Sequence, residues 1–466
     1  MSDGLTSVGI DVGTTTTQLV ISRLGIENQA GAFAVPEMVI TKREILYESP
    51  VYFTPLLEEN RVDGAAIREI VKGEYEKAGL RREDVDTGAI IITGETSRKE
   101  NARAVLEALS EFAGDFVVAT AGPELESVLA AKGAGAVAFS QRTGKRVLHM
   151  DIGGGTSNLA LIEDGKIIQT GCLNVGGRLL KVDKSGKVVY VSPVLTGVSD
   201  VKPGEWVSRQ QLEAVAGKLA QALEMAAGLR QWDPLLQKLT TKEVGRQWEV
   251  PEGDAVISFS GGVADCIEKS GNWQEFGDIG PILGSKIRQS KLCQGQYRLG
   301  EQTIRATVIG AGCHSAQLSG STVFHRNVSF PLKNRPVVRL SKQEQELSGP
   351  ELASRIQRLL ESQDTDAVVS LPGITSPGYA WVVRLAEGIA GGFAHRPVLV
   401  AVEQDMAKAL GQAIALRLDP EQACLCIDRV RLMQDSFLDV ASPVGPAMPV
   451  VVKTLILARE TATANG

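Results

Sequence analysis

The sequence predicts an α/β protein built from two similar lobes and followed by a separate C-terminal α/β unit. Three observations carry that prediction. A hairpin is duplicated: "DVGTTTTQ" at 11–18 lies over "DIGGGTSN" at 151–158, residue on residue, 140 positions apart. A buried strand running into glycines, "VISFSGGVAD", follows the second hairpin, and "IIITGETSR" holds the matching place after the first. Beyond residue 345 helices and strands alternate, the pattern of a sheet with helical crossovers.

In the hairpins, Asp11 falls on Asp151, Gly13 on Gly153, Thr16 on Thr156 and Leu19 on Leu159. Ahead of each turn, Val8, Ile10 and Val12, like Leu148, Met150 and Ile152, alternate with small or polar residues, the two-residue period of a strand. "TGAIIITGE" (87–95) reads as a buried strand, "RKENARAVLEALSEF" as a helix, "DFVVATAGP" as a strand and "ELESVLAAKGAGA" as a short helix. Segment 182–206, with Pro193, Gly197, Pro203 and Gly204, reads as an excursion. Ser208 with Gln211 makes a capping box for a helix that carries Leu212, Val215, Leu219 and Leu223 on one face. "DAVISFSGGVADCIE" reads as strand, glycine turn and helix, and "RATVIGAGCHSAQLSG" (305–320) as another strand-to-helix passage. The expected organisation is a first lobe over 1–145, a second over 146–305, a return helix to the first lobe within 306–335, and a C-terminal domain over 336–466. In that domain Ser348 with Glu351 caps a helix ahead of the strands "DAVVSLP", "PVLVAVEQ" and "ACLCIDRVRL".

Composition narrows the function. At 466 residues the chain exceeds one core, and 43% apolar with 22% charged residues is ordinary for a soluble globular protein. A net charge of −6 supplies no electrostatic footprint for nucleic acid. No apolar run reaches bilayer length, and the N-terminus lacks a secretory signal, so a cytoplasmic setting is expected. Six cysteines are spread without metal-finger spacing; Cys424 and Cys426 share one face of a strand and read as buried free thiols, with a redox pair or metal site as the second reading.

The doubled turn has a chemical use. Glycine in a tight turn lets backbone N–H groups converge on an anion, and threonine hydroxyls add donors. A carboxylate on the preceding strand repels a bare phosphate but suits hydrated Mg2+, which uses few protein carboxylates. Two such turns, facing each other, would grip a polyphosphate from both sides, with Ser260, Gly261 and Gly262 backing the adenosine. "GIDVGTTTTQ", "MDIGGGTSN" and "SFSGGVAD" resemble the phosphate and adenosine motifs of the actin, heat-shock chaperone and sugar kinase ATPase superfamily. That resemblance implies two ribonuclease H-like lobes. Their connecting helices resemble "PELESVLAAKGAG" and "VIGAGCHSAQ", whose Ala130, Ala131, Gly133, Gly310, Ala311 and Gly312 would let the lobes cross closely and hinge.

Longer strings are more specific. "KREILYESPVYFTP", "DTGAIIITGETSRKENAR", "GDFVVATAGPELESV", "CLNVGGRLL", "RATVIGAGCHSAQLSGSTVF" and "EQDMAKALG" resemble the EutA family of ethanolamine ammonia-lyase reactivating factors through nearly the whole chain. The resemblance implies a chaperone-like ATPase that uses ATP and Mg2+ to release damaged cobalamin from the lyase so that adenosylcobalamin re-enters. Slow hydrolysis, or a different ion arrangement, is expected instead from Asn158, which stands where the heat-shock chaperones carry a second acidic residue. The resemblance also implies Gly13, Thr14, Thr15 and Thr16 as the first phosphate loop and Gly153, Gly154, Gly155 and Thr156 as the second. Asp11 and Asp151 would hold Mg2+ through water, Asp151 being catalytic, and Gly310 would join the nucleotide residues. Counting back from Gly133, Glu124 matches the carboxylate that orients the attacking water, with Glu126 its rival.

Two features depart from the superfamily. Asn158 replaces a second acidic residue of the metal site, and no secure match to the catalytic lysine is found, Lys42 and Arg43 reading as a solvated pair. No D-x-H-x-x-G cobalamin motif is present, and His149 reads as a core residue. The implied partner is ethanolamine ammonia-lyase, with the C-terminal unit the candidate for recognising it. The implied location is the cytoplasm, with an ethanolamine-utilisation microcompartment as an associated site. Oligomeric state stays open, a homodimer included. A small-molecule kinase, a filament-forming actin relative and a nucleotide-binding scaffold without turnover remain as alternatives on the same fold.

Overall fold

Alternation of apolar and small residues folds each duplicated segment into an antiparallel hairpin, and the rest of each lobe is built outward from it. The computed structural model describes residues 4–13, 16–28, 38–58, 61–93, 105, 109, 119–120, 123–241, 248–251, 253–269, 272, 274–314, 316–319, 323–363, 365–430, 432, 436–443 and 448–454. The first lobe's sheet is built, in chain order, on Gly4–Val12, Thr16–Asn28, Met38–Glu48, Thr87–Ile92 and Ala119–Thr120, with the short strand Tyr52–Phe53 paired to the second of them. Those of the second are Val147–Ile152, Ser157–Glu163, Lys166–Leu173, Val256–Ser260 and Tyr297–Leu299. Across both sheets the order is third, second, first, fourth, fifth. In both, the first three strands are antiparallel, and the fourth and fifth run parallel to the first.

The repeat extends to register. Asp11 stands opposite Gln18 and Asp151 opposite Asn158. The Gly13 N–H donates to the Thr16 carbonyl at 2.9 Å, and the Gly153 N–H to that of Thr156 at 2.9 Å. Val8, Ile10 and Val12, like Leu148, Met150 and Ile152, are buried. In the second lobe, helix Arg209–Ala226 starts at the Ser208–Gln211 capping box and buries Leu212, Val215, Leu219 and Leu223. The excursion forms its own two-stranded sheet from Leu180–Val182 and Val188–Val191.

Two helices, Pro123–Gly133 and Ala306–His314, cross between the lobes. Residues 305–320 thus run helix then strand (Ala316–Leu318), not strand then helix as expected. Val308 and Ile309 are buried against Leu5, Val20 and Leu24, and Gly312 packs on Gly9, so this short element is apolar or small on every side and lacks a readable period. After Ser260 the expected helix is a single 3-10 turn, Ala264–Cys266, and the full helix comes later, at Gly280–Gln289. Most of the helix expected from "RKENARAVLEALSEF" lies outside the described residues.

A further sheet has eight strands, drawn from the chain between Ala316–Leu318 and Pro449–Thr454. Leu332–Arg339, Val368–Leu371, Val398–Val402 and Cys424–Asp428 form a parallel centre, joined by helices Gly349–Glu361, Tyr379–Phe393 and Ala407–Ala415. The two strands at its edges, Ala316–Leu318 and Phe324–Arg326, lie ahead of residue 336, where the sequence puts the start of the C-terminal domain. Each is three residues long, too short to carry a periodic signal. Cys424 and Cys426 are buried free thiols in one hydrophobic cluster. No helix among the described residues is long and apolar enough to cross a membrane.

Candidate functional site in the cleft between the lobes

The two glycine turns face a single cavity of about 620 Å³. Asp11, Gly13 and Thr16 line one wall; Asp151, Gly153, Gly154, Gly155 and Thr156 line the other, with Gly261 and Gly262 beside them. Thr14 and Thr15 lie outside the described residues. The volume is that of a pocket for a nucleotide-sized ligand. A Cβ built on Gly155 meets nothing within 4 Å, so bare backbone is open to a ligand there. Gly261 has φ of 85°, and a Cβ would lie 2.3 Å from the Ile152 carbonyl oxygen, so only glycine turns the chain at that point.

Each aspartate at the end of a central strand receives a hydroxyl from the strand beside it. Thr93 Oγ1 donates to Asp11 Oδ1 at 2.9 Å, and Ser260 Oγ donates to Asp151 Oδ1. The Thr307 hydroxyl, at the start of the second crossing helix, also bonds to Asp151. Burial pushes the Asp11 carboxyl up to about 8; its bond from Thr93 opposes this, while the charges of Glu126 and Asp151 add to it. Burial raises Asp151 to about 6 against the bonds from Ser260 and Thr307. Glu126 is buried on the same cavity and accepts from Asn158 Nδ2 at 2.8 Å.

The donor set of this pocket fits a hydrated cation. Gln18 Oε1 and Asn158 Oδ1, at equivalent positions of the two hairpins, are buried with no hydrogen-bond partner among the described residues. Beside them stand three carboxylates, so the pocket presents acceptors that only a donor or a cation satisfies. Among the described residues no cluster of three or more carboxylate, histidine or cysteine side chains could hold a metal ion directly. Water-mediated binding is the arrangement these residues suit.

Three of the expected site residues lie elsewhere. Ser260 is fully buried and does not line the cavity; it ties Asp151 to His149, whose Nε2 is 3.0 Å from Ser260 Oγ. Because Ser260 gives its proton to Asp151, its oxygen accepts from His149 Nε2–H. Burial drops the His149 pKa to about 3, with the Arg298 charge adding, so the ring is a neutral core residue. Gly310 belongs to the helix crossing, where a Cβ would meet the Leu129 carbonyl oxygen at 2.0 Å, and is not on the cavity. Glu124 is exposed and off the cavity, while Glu126, two residues on, points into it. On a helix two residues are about 200° of rotation, so only one of the pair can face the cleft. Lys42 is an exposed partner of Glu44.

Sequence reasoning missed Gln18, Phe53, Thr93, Arg178 and Thr307, which also line the cavity. Of these, Gln18 was within reach, because the hairpin overlay puts it on Asn158.

Two lobes of one strand order, meeting at a cleft between paired glycine turns, define the actin-like ATPase fold. Within that class the chain belongs to the ethanolamine utilisation protein EutA family, whose family model matches residues 3–458. It is 39% identical over 468 residues to the ethanolamine ammonia-lyase reactivase EutA of Salmonella typhimurium, covering 97% of this chain and 98% of that one. It is likewise 39% identical to the reactivase EutA of Escherichia coli over 474 residues, covering 97% and 98%. Among solved structures, a PPX-GPPA enzyme of Aquifex aeolicus overlays with a TM-score of 0.40 at 14% identity, covering 66% of this chain and 99% of that one. The duplicated strand order, not that loose overlay, defines the fold.

Proposed function

We propose that this protein is a chaperone-like, ATP-dependent reactivating factor that releases damaged cobalamin from inactivated ethanolamine ammonia-lyase so that adenosylcobalamin rebinds. The observation that carries the reading is whole-length similarity to two reactivases, at 39% identity over 97% of the chain. The cleft supports an ATP cycle behind that role. Gly13 and Thr16 from one lobe, with Gly153 to Thr156 from the other, would hold the polyphosphate, and Gly261 and Gly262 the adenosine. Asp11 and Asp151 would hold Mg2+ through its waters, where the ion neutralises phosphate charge. Asn158 donates to the Glu126 carboxylate, and from there Glu126 would orient a water for hydrolysis.

The reading also sets how work is done. Nucleotide state moves the lyase equilibrium only if open and closed lobes differ in their affinity for the lyase. The lyase is therefore the partner and the cytoplasm the setting, with association to an ethanolamine-utilisation microcompartment a further part of the proposal.

Incubating cobalamin-inactivated lyase with this protein, ATP, Mg2+ and fresh adenosylcobalamin restores deamination, and omitting ATP does not. Equal recovery without the protein would sink the proposal. The same mixture separates the two carboxylates of the first crossing helix. Glu126→Gln slows phosphate release by roughly 10²-fold, whereas Glu124→Gln leaves it unchanged. The reverse pattern would return the water-orienting role to Glu124.

A further inference from the structure

The cavity is poor in positive charge. Among the described residues that line it, only Arg178 and Lys269 are basic, while Asp11, Glu126, Asp151 and Asp278 are among those that are acidic. A triphosphate entering this cleft needs more than a divalent ion to offset that field.

Arg178 is placed to supply it. Its backbone N–H donates to the Gly154 carbonyl at 2.6 Å, and the Gly177 N–H donates to that of Gly153 at 3.0 Å, so Arg178 is carried on the second glycine turn. Arg178 Nε donates to Asp278 Oδ2 at 3.1 Å. Asp278 is buried and fixed by the Gly280 N–H at 2.8 Å, which makes it a rigid anchor for the guanidinium. The terminal nitrogens of Arg178 have no hydrogen-bond partner among the described residues.

The same guanidinium reaches the other lobe. Its carbon lies 5.3 Å from the centre of the Phe53 ring, and Phe53 is 73% exposed despite being aromatic. Phe53 pairs with Thr16, the last residue of the first glycine turn. One cation–π contact therefore joins the two turns across the mouth of the cleft.

We propose that Arg178 is the polyphosphate-sensing residue of this protein: its guanidinium binds the terminal phosphates from the second lobe and, through Phe53, holds the first lobe against them. The inference rests on the nucleotide reading above. A planar fork with unused donors matches phosphate oxygens in a way that an ammonium does not. With phosphates bound, Asp278 keeps the fork in place and the Phe53 contact makes closure depend on its position. Without them, the contact is a weak, exposed latch.

The test is nucleotide affinity of the full chain, by titration calorimetry, for MgATP, MgADP and AMP. Arg178→Met weakens MgATP binding by about tenfold or more and leaves AMP binding within about twofold. Arg178→Lys falls between, since it restores charge without the fork, and it carries the test if Arg178→Met does not fold. Phe53→Ala loses the MgATP-dependent contraction seen by small-angle scattering and, with it, part of the MgATP affinity, while AMP binding stays within about twofold. Wild-type MgATP affinity in both Arg178 variants would overturn the inference, as would an equal loss for AMP. Failure of the wild type to bind any nucleotide would instead overturn the ATP reading itself, and this inference with it.

Discussion

Asp151→Ala abolishes ATP-dependent reactivation and weakens Mg–nucleotide binding by roughly 10²-fold. Two effects combine in that variant. The carboxylate that faces the cavity is gone, and the hydroxyls of Ser260 and Thr307 lose the acceptor that they share. An unpaired buried donor costs about 1–3 kcal/mol, so this variant also melts earlier. Asp151→Asn separates the two, because it keeps an acceptor for a hydroxyl and loses only the charge; its binding falls nearly as far while its melting temperature stays closer to the wild type. The pH profile supplies a second check. Proton and cation compete for the same oxygens, with Asp151 raised to about 6 and Asp11 to about 8, so wild-type Mg–nucleotide affinity climbs as pH rises from 6 to 8. Asp11→Asn removes the upper part of the climb. Metal-free stability has the opposite sign: the folded pKa of Asp11 lies above the ordinary aspartate value of 3.8, so its contribution is full below 3.8 and lost as pH rises through about 8. The metal-free protein should therefore lose more stability between pH 5 and 8 than Asp11→Asn does. Full reactivation by Asp151→Ala would remove this carboxylate from the mechanism.

What could be read from the chain follows from what each signal encodes. The hairpins were legible because a two-residue period flanks a glycine turn and the whole unit recurs, and two copies in register leave chance little room. The capping boxes at Ser208 and Ser348 were legible because their spacing is local. The role of Ser260 was not, since a serine beside two glycines looks like part of the turn. Its position opposite Asp151 in a parallel pair is a long-range fact. Glu124 against Glu126 turned on helical phase, and counting from Gly133 fixes the distance along a helix but not the face that meets the cleft. Arg178 and Phe53 sit on different lobes, and nothing local in either segment announces the contact between them.

The crossing of the two connecting helices shows a further physical limit. A Cβ on Gly133 would sit 1.9 Å from the Ala306 carbonyl oxygen and 2.7 Å from the Gly310 nitrogen. Both neighbours are backbone, so no rotamer change makes room and the helices must separate. Gly133→Ala therefore destabilises by about 1–3 kcal/mol, read as a lower urea midpoint, although alanine is the better helix former. Gly73→Ala is the matched control. It lies in helix Gly64–Lys77 with nothing within 4 Å of its Cβ, and it stabilises by up to about 1 kcal/mol. If both variants shift the midpoint the same way, intrinsic propensity rather than close packing governs the crossing. The cleft should register the same displacement. Glu126 stands in the first turn of one crossing helix and Thr307 in that of the other, and both face the cavity that holds Asp151. Spreading the helices moves the Glu126 carboxylate relative to Asp151, so Gly133→Ala loses phosphate release at temperatures where it is still folded, and Gly73→Ala keeps it.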